Sequence, residues 1–215
     1  MQELDYQNRR MKHTRKKTYK SLNALSVQEA IRIATDGRGI HPAKGHPFFV
    51  VKYGPPGSGK SSARVYQEIK KLGPPITSYV DVNQDTLVES MDEYKHNHTQ
   101  YNRLRYQKNK KGLSLYKKSA IVLKKAVQAR ANIIIEITGG NEGDPLGWIH
   151  TLIKGTPYKL IVIMPTVPLE TILKRLETRN RKRNVEEVKK EYEWSLKNFD
   201  TYIKPHQNYI LVDNV

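Results

Sequence analysis

Residues 54–61 read Gly-Pro-Pro-Gly-Ser-Gly-Lys-Ser. Gly54 and Gly59 stand with four residues between them, and a lysine and a hydroxyl follow at once. That is the spacing of a loop that closes on phosphate. Gly54, Gly57 and Gly59 let the backbone bend so that successive amides face one anion. Lys60 adds a full positive charge near the outer phosphates, and the hydroxyls of Ser58 and Ser62 extend the cradle. The Ser61 hydroxyl suits a magnesium ion, and a helix starting there adds the positive end of its dipole. Pro55 and Pro56 stiffen the entrance. Such a loop calls for ATP and Mg2+ but leaves open where the terminal phosphate goes.

Three further sets of residues bear on that. Asp81 and Asp85 follow a second apolar run, "TSYV". Asp85 suits a general base and equally a helix N-cap, and Asp81 is its rival for the base. Glu136 and Thr138 close "IIIEIT", where a carboxylate beside a phosphate loop can hold a substrate or serve as a buried structural acid. Arg175, Arg179, Arg181 and Arg183 crowd "LKRLETRNRKRN", either as a cationic lid or as a solvated helix end. No Asn-Lys-x-Asp element is present to read guanine. The "IIIEIT" run carries one acid where a mechanical ATPase would carry adjacent acids. A base, an acceptor clamp and mobile arginines suit transfer of phosphate to a bound hydroxyl.

The elements that must position these groups alternate along the chain. "SVQE" at 26–29 is a capping box opening a short helix that Gly37 stops. "FFVVKY" (48–53) reads as a buried strand running into the glycine loop, and a helix follows to Gly73. Strands are expected at 77–82, 132–138, 158–164 and 208–212. Helices are expected at 115–131, in "PLGWIHTLIKG", from Pro168 onward, and in "VEEVKKEYEWSLKNF". The crossovers are long enough for parallel pairing. The expectation is an α/β three-layer fold: a mostly parallel five-stranded sheet with helices on both faces. Ligands in such sheets sit beyond the carboxyl ends of the strands, where the residues above lie.

The chain has 215 residues, 37% hydrophobic, enough for one sizeable core. No apolar run approaches the roughly 20 residues that span a bilayer. The first residues have no apolar stretch of the signal-peptide kind. Cysteine is absent, which excludes disulfides and thiolate chemistry and fits a cytoplasmic protein. A basic arm is expected at 1–20, and a single domain at 21–215 with a lid near 174–184. Net charge is +17. Residues 95–130 hold eleven Lys and Arg and no Asp or Glu, with Tyr101, Tyr106 and Tyr116 between them. That basic helical insert is either a set of solvated faces or a surface for nucleic acid or nucleotide.

Taken in order, "GPPGSGKS", "VNQDTLVES", "IIIEITGG" and "LKRLETRNRKRN" resemble the zeta-toxin family of P-loop kinases over roughly residues 48–200. The likeness to chloramphenicol phosphotransferase and polynucleotide kinases is looser. The resemblance implies the P-loop NTPase fold and ATP-dependent transfer to a hydroxyl of an anionic acceptor, a nucleotide sugar in that family. It also implies an antitoxin-like partner. It makes Asp85 the general base, Glu136 and Thr138 the substrate holders and Arg175 a lid arginine. The second lid arginine is Arg179, Arg181 or Arg183, with Arg183 favoured by its place after the helix. Gly140 stands where the family often has arginine, and Leu87 and Val88 replace its residues after the catalytic Asp. Transfer to nucleic-acid ends, and a nucleic-acid-binding protein with a regulatory nucleotide site, are therefore carried alongside.

Overall fold

The structure, a computed structural model, describes residues 25–109, 112–178 and 183–214. The basic arm expected at 1–20, and Arg179 and Arg181 of the expected lid, lie outside the described residues. The chain divides into two compact units. One holds the described residues of Met1–His41 and Val80–Ala129, the other those of Pro42–Tyr79 and Arg130–Val215.

The strands are β1 (Phe48–Tyr53), β2 (Tyr79–Val82), β3 (Asn132–Ile137), β4 (Lys159–Thr166) and β5 (Asn208–Asp213). They form one sheet in the order β2-β3-β1-β4-β5. β1 pairs in parallel with β3 and β4, and β4 in parallel with β5. The α/β sheet expected from the sequence is present. β1 sits between two parallel neighbours, so its carboxyl end, where the glycine loop starts, is central. Such a strand is apolar on both faces. Accordingly Phe49, Val50 and Val51, and Ile133, Ile134 and Ile135 opposite them, are almost fully buried. Each such side chain contributes roughly 1.5–3 kcal/mol.

In the second unit, α2 (Ala63–Lys71) packs Val65, Tyr66 and Ile69 on Val50, Ile134 and Ile163. The opposite face carries Tyr53, whose ring meets Phe199 at a 6.3 Å centroid distance. Phe199 opens a π-helical turn, Phe199–Ile203, that continues α9 (Val185–Asn198). Helices thus lie on both faces of this unit's sheet. α7 (Gly147–Ile153) and α8 (Leu169–Glu177) complete it. Pro168, expected in the first turn, is instead the N-cap of α8, which starts one residue later than expected, because its φ of −59° is paired with an extended ψ of 146°.

The first unit is helical apart from its β2 residues. α1 (Val27–Ala34), α3 (Gln84–Glu89), α4 (Asp92–His96), α5 (Tyr101–Tyr106) and α6 (Leu115–Gln128) bury Ala30, Leu87, Met91, Leu104 and Val122. The Ser26 hydroxyl caps α1 by accepting from the Glu29 amide. The Glu29 carboxylate pairs with Arg32. The 3-10 turn Ile76–Ser78 takes residues expected in β2, since the Ser78 amide and hydroxyl both bond back to Pro75. No described helix is long and apolar enough to cross a membrane.

One clamp fixes the loop after β3. Gly139 adopts φ +64°, and a Cβ there would lie 2.0 Å from the Tyr53 hydroxyl oxygen. That hydroxyl donates to the Ser195 carbonyl at 2.8 Å. Asn198 Nδ2 donates to the carbonyls of Gly139 and Asn141 at 2.9 and 2.6 Å. Burial pushes the Tyr53 phenol up to about 12, so it stays a donor at neutral pH. Gly139→Ala should therefore destabilise the protein by ~2–3 kcal/mol, combining a left-handed backbone with a steric clash. In thermal melts this is a midpoint drop of roughly 4–12 °C. An unchanged midpoint would show that the loop does not pack on Tyr53.

Candidate functional site

The glycine loop folds as its sequence requires. Gly54, Gly57 and Gly59 take φ of +135°, +84° and +86°. Space forbids side chains as well. A Cβ on Gly57 would press on Ile172 of α8 at 3.1 Å, and one on Gly59 would fall 1.9 Å from Asn214 Nδ2. Lys60 is buried, and its ammonium donates to the carbonyls of Gly54 and Pro55 at 2.7 and 3.0 Å. It therefore lies inside the concave side of the loop, where an incoming phosphate can draw it across. The Ser58 hydroxyl is buried and has no hydrogen-bond partner among the described residues. α2 starts at Ala63, two residues beyond the start expected at Ser61. Ser62 is its N-cap, and its hydroxyl accepts from the Val65 amide at 3.4 Å. Ser62 thus has a structural use beside the one expected of it.

Glu136 lies directly beside the loop. Ser61 Oγ donates to its carboxylate at 3.0 Å. Lys52 of β1, level with Glu136 in the parallel register, forms an ion pair with it at 2.8 Å. The Lys52 side chain is fully buried and also donates to the Tyr66 hydroxyl at 3.1 Å, with its ammonium 4.9 Å from that ring's centre. Burial alone would raise the Glu136 carboxyl. The charges of Lys52 and Lys60 and the hydrogen bonds from Lys52 and Ser61 outweigh it and hold the group below the usual range. Thr138 follows β3 and is exposed.

The arginines divide by partner. Arg175 of α8 donates from Nη1 to the Gly57 carbonyl at 3.4 Å and from Nη2 to the Asn214 carbonyl at 2.7 Å. It therefore touches the loop backbone itself. Arg183 pairs with Glu191 of α9 at 2.7 Å. Glu191 packs against Gly140, where a Cβ would come within 2.7 Å of its Cγ. Arg183 is thereby tied to the segment that follows β3. A cleft of ≈ 350 Å³ opens beside the loop, lined by Pro55, Ser58, Thr166, Pro168, Tyr192 and Leu196 among others.

Asp85 belongs to the first unit. It is not the N-cap of α3. Asn83 takes that place and accepts from the Asp85 amide at 2.9 Å, leaving the Asp85 side chain in the first turn. Its carboxylate accepts from the Tyr101 hydroxyl, which itself accepts from Arg105 Nη1 at 3.4 Å. A short relay of Arg105, Tyr101 and Asp85 results.

Sequence reasoning missed three of these residues. Lys52 had a signal: a lone lysine in an apolar strand, matched by a lone glutamate in the apolar strand beside it. Asn214 follows β5 and donates to the Ser58 carbonyl at 2.9 Å, a contact visible only once β5 is placed. Tyr101 stands sixteen positions from Asp85, and no periodicity links them.

Compared with known proteins, residues 49–200 match the profile of a family described as an AAA domain. The chain belongs to that family. No curated protein matches the AAA-domain chain. Among solved structures it is similar to the chromosomal toxin-antitoxin system PezAT of Streptococcus pneumoniae, with 19% identity and a TM-score of 0.43 over 70% of this chain and 60% of that one. It is also similar to the Pnkp1/Rnl/Hen1 RNA repair complex, with 16% identity and a TM-score of 0.49 over 78% of this chain and 48% of that one. A third similar structure is shikimate kinase from Bacteroides thetaiotaomicron, with 14% identity and a TM-score of 0.43 over 79% of this chain and 88% of that one. The chain thus spans between half and three-fifths of the first two structures.

The residues present fit a magnesium nucleotide. The orphaned Ser58 hydroxyl, the glycine positions closed to any Cβ and the folded-back Lys60 make a cradle for phosphate. The Ser61 hydroxyl and Glu136 carboxylate offer oxygen donors of the kind Mg2+ takes from a protein alongside phosphates and water.

A depressed carboxyl stabilises the fold above the ordinary glutamate pKa of roughly 4.3, and that stability is lost as pH falls through the lower folded value. Glu136→Gln should cost ~3–5 kcal/mol at pH 7 by leaving Lys52 buried without its counter-charge. The difference should shrink below about pH 4 as the parent's own carboxyl protonates. Urea unfolding of both proteins at pH 7 and pH 3 checks this. An equal gap at both values would mean that the charge of Glu136 is not what matters.

Proposed function

We propose that the chain is an ATP-dependent phosphotransferase that moves the γ-phosphate to a hydroxyl of a phosphate-bearing small substrate, such as a nucleotide sugar. The observation that carries this reading is Arg175, which bonds to the carbonyl of Gly57 within the glycine loop, while Lys60 bonds to the carbonyls of Gly54 and Pro55 and Ser61 to Glu136. Two cations held on the backbone of one triphosphate cradle are an arrangement that can stabilise a phosphoryl group in transfer.

The roles follow from the groups. Lys60 and the loop amides hold the β- and γ-phosphates. Ser61 and Glu136 would hold Mg2+, which when bound draws charge off the phosphate oxygens. Glu136 was first read as a substrate holder, and its bond to Ser61 favours the metal side. Thr138, exposed after β3, and Arg183, held by Glu191, are left for the acceptor. Asp85 takes the acceptor hydroxyl's proton as its oxygen forms the new bond to phosphorus, and the bond to the β-phosphate oxygen breaks with its electron pair leaving on ADP. A hydrogen bond from Tyr101 suits a carboxylate that must stay oriented until then. An antitoxin-like partner belongs to the same reading, on the family resemblance alone.

A second reading, transfer to nucleic-acid ends, is favoured by the basic segment 95–130. ATP labelled at the γ-position, incubated with nucleotide sugars, nucleosides and short oligonucleotides, separates the two by which acceptor gains label. Lys60→Ala should abolish transfer. Asp85→Ala should lower kcat by ~10²–10⁴-fold. Full transfer by Asp85→Ala on every acceptor would move the base to Asp81. Nucleotide binding without label on any acceptor would leave a regulatory site in place of an enzyme.

A further inference from the structure

The first unit carries an aromatic and cationic surface that the phosphotransfer reading does not use. Tyr106 ends α5 and Tyr116 begins α6, and they are 56% and 48% exposed. Their rings are 6.2 Å apart at 37°, an open wedge rather than a closed stack. The Arg105 guanidinium lies 5.2 Å from the Tyr106 ring centre. Tyrosine rings normally bury most of their area, and here two from successive helices turn ring surface to solvent together.

The charge around them points outward as well. Arg103 precedes Tyr106 by one helical turn and, among the described residues, its side chain bonds to the amide side chains of Gln100 and Gln107. Lys108 and Lys117 flank the tyrosine pair and are exposed. Neither has a carboxylate partner among the described residues, whereas Lys95, farther along, pairs with Asp92 at 3.4 Å. Within 95–130 no acid exists to neutralise any of them.

We propose that this face of the first unit, centred on Tyr106, Tyr116 and Arg105, docks single-stranded nucleic acid. Flat exposed rings beside a guanidinium take unpaired bases by stacking, and unpaired lysines beside them take the phosphates. A duplex hides its base faces and cannot use the rings. An anionic membrane would call for exposed Trp, Phe or Leu, and among the described residues of this unit the large exposed hydrophobics are the two tyrosines. None of its groups belongs to the glycine loop, and its tyrosines and lysines are separate from the Arg105–Tyr101–Asp85 relay that Arg105 also serves.

The test is fluorescence anisotropy of end-labelled 12-nucleotide strands, one of uridine and one of deoxythymidine, with the full chain at 50 and 200 mM salt. Both strands should bind, and the tighter one tells whether the surface prefers RNA or DNA. A duplex of the same length should bind at least several-fold more weakly. Tyr106→Ala and Tyr116→Ala should each weaken binding about tenfold, while Tyr106→Phe stays within about twofold because stacking survives. Lys108→Gln with Lys117→Gln should weaken binding and reduce the slope of log K against log salt by about 1.4. Lys60→Ala should leave strand binding unchanged. Thermal melts of each variant confirm folding, and half-exposed tyrosines tolerate truncation. The proposal is overturned by no binding at 50 mM salt. It is also overturned by heparin or duplex binding as tight as the strand with both tyrosine variants unaffected, which would mark a plain polyanion surface. Capture by phosphatidylserine vesicles in place of the strand, or loss of strand binding in Lys60→Ala, would overturn it too.

Discussion

Lys52 and Glu136 face each other from adjacent parallel strands, and the ammonium of Lys52 has no exposure to water. A lysine in that position loses its hydration entirely, which costs several kcal/mol unless a counter-charge and hydrogen bonds replace the water. Glu136 supplies the charge, and the Tyr66 hydroxyl and ring supply a further bond and a polarisable surface. The pair can form only in one register, because a slip of either strand by one residue would turn that strand's side chain to the other face and part the two. That register sets where β1 ends, and so where the glycine loop begins. It also leaves one carboxylate, held ionised, within reach of Ser61. The loop could adopt its backbone turns without this pair, but the hydroxyl that a metal needs would then have no fixed partner.

Around that centre, contacts from distant parts of the chain converge on the loop from the other side. Asn214 follows β5 and donates to Ser58, Arg175 of α8 bonds to Gly57 and to Asn214, and Arg64 at the start of α2 donates to the Asp213 carbonyl at 2.8 Å. α9 reaches the segment after β3 through Asn198, through the Tyr53–Ser195 bond and through Glu191 against Gly140. Each bonds to backbone atoms or packs where a side chain cannot fit. The conformation of the loop is therefore imposed by the unit as a whole, and a nucleotide would meet a largely prebuilt site, with Lys60 the group that must move.

The sheet was legible because its strands are continuous apolar runs bounded by glycine and proline, a local signal. The glycine loop was legible for the same reason: its conformation needs particular residue types at fixed offsets. Asp85 as an N-cap was a fair reading of the same local kind, yet Asn83 two residues earlier made the better cap. Lys52, Asn214 and Tyr101 were missed because their meaning lies in partners 84, 156 and 16 positions away. Hydrophobic periodicity carries no information about which polar side chain will meet which. Ser61 was expected to begin a helix and does not, since the chain must first turn out of Gly59 before Ser62 can cap α2.

The uneven charge of the chain resolves once each cation is followed to its partner. In the second unit Lys52, Lys60, Arg64, Arg175 and Arg183 all bond inward, to carbonyls or carboxylates of that unit. Their charge is spent on shaping the site, and little of it is available to attract anything at a distance. The cations of α5 and α6 are different in kind. Arg103, Lys117, Lys124 and Lys125 are exposed and have no acid in their own segment, so they leave their field in the solvent, where it can raise the local concentration of a polyanion, while Lys118 is buried. Composition alone cannot separate these two uses, since a lysine counts as one charge in either. Of the 38 Lys and Arg, eleven lie in 95–130, a run with no acid of its own, so a net charge of +17 becomes informative only through its distribution along the chain. On the readings proposed above, nucleic acid would be drawn to the first unit's helices and triphosphate held by the second unit's loop.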